Sequence, residues 1–212
     1  MTDQSFQTAA DQAYNIICEN ILSGKLPQGA KLSRRDMAKL TGVSIIPVIE
    51  ALHRLESEGL VESRPYWGSR VISLTDEVMQ DRFALREAIE CQVVRILAAR
   101  IDDEEVERIY RLADGLDVLQ QKKVLDDNYW EKHYTFHLTL AELTGHPSLV
   151  DALRRINFFN LLQRAEYNTI TIHSEVPANN HRLVSEAIAT RNADTAEAAM
   201  RTHIRRSGFV GE

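Results

Sequence analysis

The chain of 212 residues is 44% apolar and 26% charged, enough to bury one large core or two small ones. It contains no run of 18 apolar residues to cross a membrane and no basic-then-apolar leader, so a cytoplasmic location is expected. The net charge of −6 argues against a nucleic-acid partner only as an average: residues 1–75 hold eight Lys/Arg and eight Asp/Glu, so residues 76–212 carry the whole excess.

The first helix is expected over 6–23, where Ala10, Ala13, Tyr14, Ile17, Ile21 and Leu22 recur at helical spacing. Ser23-Gly24 and Leu26-Pro27-Gln28-Gly29 break it. A short helix follows over 34–40, capped by Ser33, and Thr41-Gly42-Val43-Ser44 makes a tight turn. Ser44 caps the next helix and Pro47 sits in its first turn, where a missing N–H costs little. Val48, Ala51, Leu52 and Leu55 form the buried stripe of that helix, and Gly59 ends it. Two extended pieces, 60–64 and 70–74, are joined through Pro65-Tyr66-Trp67-Gly68-Ser69 as a hairpin. Three helices and a hairpin, with a glycine turn between the second and third helix, have the layout of a winged helix-turn-helix.

From residue 76 the pattern is helical nearly to the end, with no strand signal. Helices are expected over 76–100, 102–122, 127–144, 147–166, 177–190 and 194–207, the first with a stripe of Phe83, Leu85, Ile89, Val93, Ile96 and Leu97. The fold class is thus mostly α: a winged helix-turn-helix over 1–75, then an all-α bundle of six helices over 76–212. Cys18 and Cys91 fall inside helical patterns and read as small buried side chains. Lys25, Lys31, Arg34, Arg35 and Lys39 cluster with Asp36 as the opposing acid. Such a run is either a solvated face or a footprint for phosphates, whose attraction is short-ranged in salt.

The chain resembles the GntR family of bacterial regulators, in the FadR-like branch whose effector domain is called FCD. The first domain carries the resemblance in residues 21–29 (ILSGKLPQG), 32–38 (LSRRDMA), 42–44 (GVS) and 47–61 (PVIEALHRLESEGLV). The second carries it in 85–90 (LREAIE), 136–141 (FHLTLA), 181–188 (HRLVSEAI) and 198–203 (AAMRTH). The resemblance implies a DNA-binding transcription regulator, a homodimer on a two-fold symmetric double-stranded operator. It also implies a small organic acid, a carboxylate or sugar acid, bound at a metal in the helical domain.

In such a domain the helix after Ser44 enters the major groove. The family places an arginine on the preceding helix, matched by Arg35, and arginines at positions held here by Ile45 and Ile49. Isoleucine cannot make the paired hydrogen bonds that read guanine, but it can touch a thymine methyl. Arg34, Ser44, Ile46 and Arg54 complete the expected DNA-facing set on the helices. Arg64, Trp67, Gly68 and Arg70 form it on the hairpin, where Trp67 either touches DNA or packs on its own domain.

His133 and His137 stand four apart on one helix face. By the resemblance, His137, His181 and His203 match the three histidines of the family's metal pattern, and His133 stands where an aspartate is usual. Four imidazoles suit a divalent transition metal, Zn²⁺ or Ni²⁺ first, and would keep the ion's full +2 charge for an anionic effector. The alternative is a hydrogen-bonded histidine cluster. Arg86 resembles a family arginine near the effector, or pairs with Glu90; Tyr134, Asn160 and Arg164 are further effector candidates. His53, His146 and His173 read as surface, turn or cap positions. Without a His-Glu-x-x-His, a nucleophile elbow or a phosphate loop, the chain reads as no enzyme. Its alternative function is a metal-binding, ligand-sensing dimer with weakened or lost DNA binding.

Overall fold

A computed structural model describes residues 8–123, 127–156 and 180–207. The chain divides into two compact units, one of 1–75 with 155–170 and the other of 76–154 with 171–212.

In the first unit, α1 (Ala9–Leu22) starts at Thr8, whose hydroxyl accepts the Asp11 N–H while the Asp11 carboxylate accepts the Thr8 N–H. α2 (Arg34–Thr41) is capped by Ser33, whose Oγ accepts from the Asp36 N–H at 3.1 Å. It ends at Gly42 with φ 73°, a left-handed conformation that glycine adopts without strain and that lets the chain turn at once into α3 (Ile45–Ser57). Ser44 occupies the N-cap position of α3, but its exposed side chain makes no capping hydrogen bond, contrary to the expectation from sequence. Val48, Ala51, Leu52 and Leu55 are buried and pack with Ala13, Ile17 and Ile21 of α1.

The sheet of this unit has strand order β1-β3-β2, all antiparallel, from β1 (Lys31–Leu32), β2 (Val61–Arg64) and β3 (Gly68–Val71). Leu32 pairs with Ser69, and Val61 with Val71. β1 was not expected, because two residues carry no period; only their partner strand makes them a strand. β3 begins two residues before the expected start at Arg70. Tyr66 and Gly68 both have positive φ (67° and 73°), which closes the turn within 65–67.

The described elements of the second unit are all helices: α4 (Asp76–Ala98), α5 (Asp103–Gln121), α6 (Asp127–Leu143), α7 (helical over 147–156, its last two residues grouped with the first unit), α8 (Asn180–Ala189) and α9 (Ala193–Ser207). The expected helices over 147–166 and 177–190 extend partly outside the described residues. α5 opens on a reciprocal cap between Asp102 and Glu105. Val94, Leu97, Ile109, Leu116, Phe136, Leu140, Ile188 and Met200 build the core. Ion pairs fasten α4 to α9: Arg95 reaches Asp194 and Glu197, while Glu87 takes both Arg201 and Arg205. Leu85 is 43% exposed and leaves the apolar stripe expected of it. The inward face of α4 runs through Met79, Arg86, Glu90, Val93 and Leu97, and two of those positions are charged. Cys18 and Cys91 are buried and free, and burial pushes each thiol up to about 11. No helix among the described residues is long and apolar enough to cross a membrane.

Candidate functional site

Three helices of the second unit bring four histidines together. His133 and His137 lie one turn apart on α6, His181 opens α8, and His203 lies in the last turns of α9. All four rings are buried, and one ligand nitrogen from each lies within 4.8 Å of the others. His137 Nε2 and His203 Nε2 are 3.2 Å apart.

Two carboxylates behind the rings fix their orientation. Asp117 of α5 accepts the His181 Nδ1–H at 2.8 Å and also the backbone N–H groups of His181 and Arg182, at 3.2 and 2.9 Å. One side chain thus sets a ring and satisfies two N–H groups at the start of α8 that have no partner within the helix. On the other side Glu90 of α4 pairs with His137 Nδ1 and, through its other oxygen, with Arg86. Burial works to raise the Glu90 carboxyl, but the Arg86 guanidinium, with the close contact to His137, overrides it and holds it at about 2. Burial lowers His137 against the pull of Glu90, and lowers His203 well below its ordinary value, helped by His181 and His137.

This arrangement fits a metal ion. His181 Nδ1 is committed to Asp117 by a hydrogen bond and His137 Nδ1 lies against the Glu90 carboxylate, so both rings turn Nε2 inward, and buried His181 Nε2 has no hydrogen-bond partner among the described residues. Converging ring nitrogens, two of them on rings backed by carboxylates, are what a transition-metal site requires. Sequence reasoning missed Asp117, since nothing in its surroundings along the chain marks it and its partner lies 64 positions away. The spacing of Arg86 and Glu90 did signal their pair.

The expected effector residues are less gathered. Arg86 is buried on Glu90, and its Nη2 has no hydrogen-bond partner among the described residues. Tyr134 is half-buried on α6 beside His133. Asn160, Arg164 and His173 lie outside the described residues. His146 is exposed just before α7, and exposed His53 faces Glu56.

In the first unit, Arg34 and Arg35 stand exposed on the first turn of α2, and Ser44, Ile45 and Ile46 are exposed at the start of α3. Ile45 is 44% and Ile46 69% exposed, whereas Ile49 is half-buried. Of the three isoleucines expected to face DNA, Ile45 and Ile46 are therefore the more exposed and Ile49 the less. Arg54 is exposed and also tied to the fold: its guanidinium stacks 3.7 Å over Tyr14 and pairs with Asp11 and Glu58, both at 3.3 Å. On the hairpin, Trp67 is exposed between Arg64 and Arg70, at 5.9 and 5.5 Å from its ring. Arg64 also pairs with Glu62, Arg70 donates to the Gly29 carbonyl, and Gly68 opens β3.

Two stretches of the chain match known family models. Residues 9–71 match the model for "Bacterial regulatory proteins, gntR family", and residues 81–206 match the FCD domain. The chain is 32% identical over 210 residues to an HTH-type transcriptional regulator in an unstable DNA locus of Streptomyces ambofaciens, covering 97% of this chain and 86% of that one. It is 26% identical over 200 residues to the HTH-type transcriptional repressor RspR of Escherichia coli, covering 93% and 86%. The solved structure of E. coli McbR/YncC shares the fold at TM-score 0.70 and 19% identity, over 94% of this chain and 95% of that one.

Proposed function

Because this chain belongs to the GntR family of bacterial regulators and carries an FCD domain, and so is a DNA-binding transcription regulator, we propose that a small organic acid controls its operator binding from a metal site of His133, His137, His181 and His203. The observation that carries this reading is the convergence of four buried imidazoles backed by Asp117 and Glu90. Residues 1–75 serve as the DNA-binding domain and 76–212 as the effector domain, in a cytoplasmic homodimer on a two-fold symmetric operator. RspR is named a repressor, and repression is the sign of control we assign here. The chain works by binding and not by turnover.

The four imidazoles favour Zn²⁺ or Ni²⁺ over the hard cations that prefer oxygen. When bound, such an ion supplies an electrophilic centre for an anionic oxygen of the effector. The charge offered to the effector is smaller than the full +2 expected from the ligands alone. Two buried carboxylates stand behind the rings and one guanidinium offsets one of them, which leaves a single net positive charge. The chain's own part is to hold lone pairs inward: Asp117 and Glu90 keep the Nδ1 protons of His181 and His137 outward. Arg86 keeps Glu90 ionised, and its buried Nη2, with no hydrogen-bond partner among the described residues, remains a donor for the effector.

For control, the effector must bind one arrangement of the protein better than another, since equal affinity for both shifts nothing. The test uses protein purified without a histidine tag. Elemental analysis should find about one transition-metal ion per chain, and duplexes selected from a random library should bind in a salt-dependent way. Metal-free protein with an ordered helical unit would overturn the metal site, and failure to retain any duplex at low salt would leave only a ligand-sensing dimer.

A further inference from the structure

We propose that the first turn of α3 reads the C5 methyl groups of thymine through Ile45 and Ile46, so that the operator carries T·A pairs where these side chains land. The proposal rests on the DNA-binding reading above and goes beyond it by naming the chemical feature recognised.

The first four residues of α3 are Ile45, Ile46, Pro47 and Val48, and none of their side chains can donate or accept a hydrogen bond. Val48 is fully buried in the core of its unit and Pro47 is half-buried, whereas the two isoleucines are turned outward. In the major groove the thymine methyl is the one base-edge feature that an aliphatic side chain complements. A guanine or adenine edge facing this turn would instead lose hydrogen bonds to water and gain none.

The surroundings select an anionic polymer over a protein as the occupant. Lys31, Arg34, Arg35 and Lys39 are exposed on β1 and α2 and form no ion pair with any described residue. The first turn of α3 holds no acid, and the Ser44 hydroxyl leaves the helix's leading N–H groups uncapped. Those N–H groups and the four cations of the same small unit suit the phosphates that flank a groove. Exposed Glu50 lies farther along the same helix and offers an acceptor for a base amino group, but it gives guanine O6 and N7 nothing. The turn thus disfavours G at the positions it meets and favours T through its methyl alone.

The test changes the DNA and leaves the protein intact. Full-length protein selects duplexes from a random library, and each thymine of the enriched site is then replaced singly by deoxyuridine, which removes only the methyl. At one or two positions in each half-site, dT→dU should weaken binding about fourfold, the effect of uncovering one methyl-sized group. At those positions, exchange of T·A for 5-methylcytosine·G should cost less than exchange for C·G. The I45A/I46A double variant should bind more weakly overall and be indifferent to dT→dU there, since the pair that felt the methyl is gone. If the protein binds its selected duplex tightly and no dT→dU change alters affinity, the methyl reading fails while DNA binding stands. If no duplex is selected at low salt, the DNA-binding reading itself fails. If the double variant changes the oligomeric state and leaves the methyl effect intact, these isoleucines cover another copy of the chain, and the proposal is overturned.

Discussion

The two units invert the ordinary placement of side chains in opposite ways. The first exposes aliphatic residues, Ile45 and Ile46, over a core whose described buried members include no charged residue. The second buries charged and titratable residues, Arg86, Glu90, Asp117 and four histidines, at the centre of its helices. The difference lies in what each unit's working groups do before a ligand arrives. Exposed isoleucines are held by their helix alone and leave the fold indifferent to their chemistry. Buried imidazoles are part of the packing, so the site and the stability of the second unit are one object.

The sharpest break of this comparison is His137→Ala. It removes a ring that Glu90 contacts and leaves the Arg86–Glu90 pair buried against a void. Deleting a large buried ring and leaving a cavity costs about 3–5 kcal/mol. Chemical denaturation should show that loss in the helical transition, together with lost metal; an unchanged midpoint would falsify the claim that the site is built into the core. Asp117→Asn is milder: it keeps the volume and weakens the anchor of the His181 Nδ1–H. Metal affinity should fall about 10- to 100-fold, as for other outer-shell carboxylates. Competition with a chromophoric chelator reads this directly, and an affinity equal to wild type would release Asp117 from its orienting role.

Acid separates the units without mutation. Burial, with the neighbouring rings, holds His203 well below its ordinary value of 6.5, and burial lowers His137 despite Glu90. Below about pH 6.5 the unfolded chain therefore takes up protons that the folded rings refuse. The stability contributed by the neutral rings is complete above that pH and is lost progressively as pH falls toward the folded values. Metal should leave over the same interval, because ligation needs the lone pair. Glu90, held at about 2, adds its own loss only below its ordinary value of 4.5. Unfolding of chelator-treated protein between about pH 7.5 and pH 5.5 should show the helical transition losing stability more steeply than that of the first unit. Equal slopes would remove the contrast.

Arg54→Ala tests a residue whose sequence position suggested DNA and whose contacts indicate packing. The side chain is half-exposed, so its pairs with Asp11 and Glu58 and its stacking on Tyr14 are together worth about 1 kcal/mol. Thermal unfolding should register that loss, while affinity for the selected duplex, measured well below the melting range, should stay as it was. A tenfold loss of affinity with no change in stability would return Arg54 to the DNA-facing set.

What could be read in the sequence depended on the range of the interaction that decides each feature. Periodicity and turn residues are local, and they marked the buried stripe of α3, the glycine turn at Gly42 and the hairpin around Trp67. The histidines were legible through their register in a family pattern, not through spacing, since only His133 and His137 are neighbours along the chain. β1 escaped because its identity as a strand comes from Ser69 and Arg70 across the sheet. Asp117 escaped because an acid on a solvated helix and an acid capping another helix look alike along a chain. The tie of Arg54 to Asp11 escaped because the two stand 43 residues apart, and Leu85 misled because charged residues took the inward face of α4.

The smallest expected effect lies in the first unit. Ile46→Ala removes an aliphatic side chain that is 69% exposed, so little buried surface is forfeited. Alanine is also the better helix former, by a few tenths of a kcal/mol. The two terms nearly cancel, and unfolding should shift by no more than about 0.5 kcal/mol in either direction. The same substitution should weaken binding to the selected duplex severalfold, because the surface it deletes is covered only when DNA is present. A residue silent in stability and audible in affinity marks a surface kept for a partner. If Ile46→Ala instead destabilised the unit by 2 kcal/mol or more, the side chain would belong to a packed interface, and the contrast between an outward-working unit and an inward-working one would have to be redrawn.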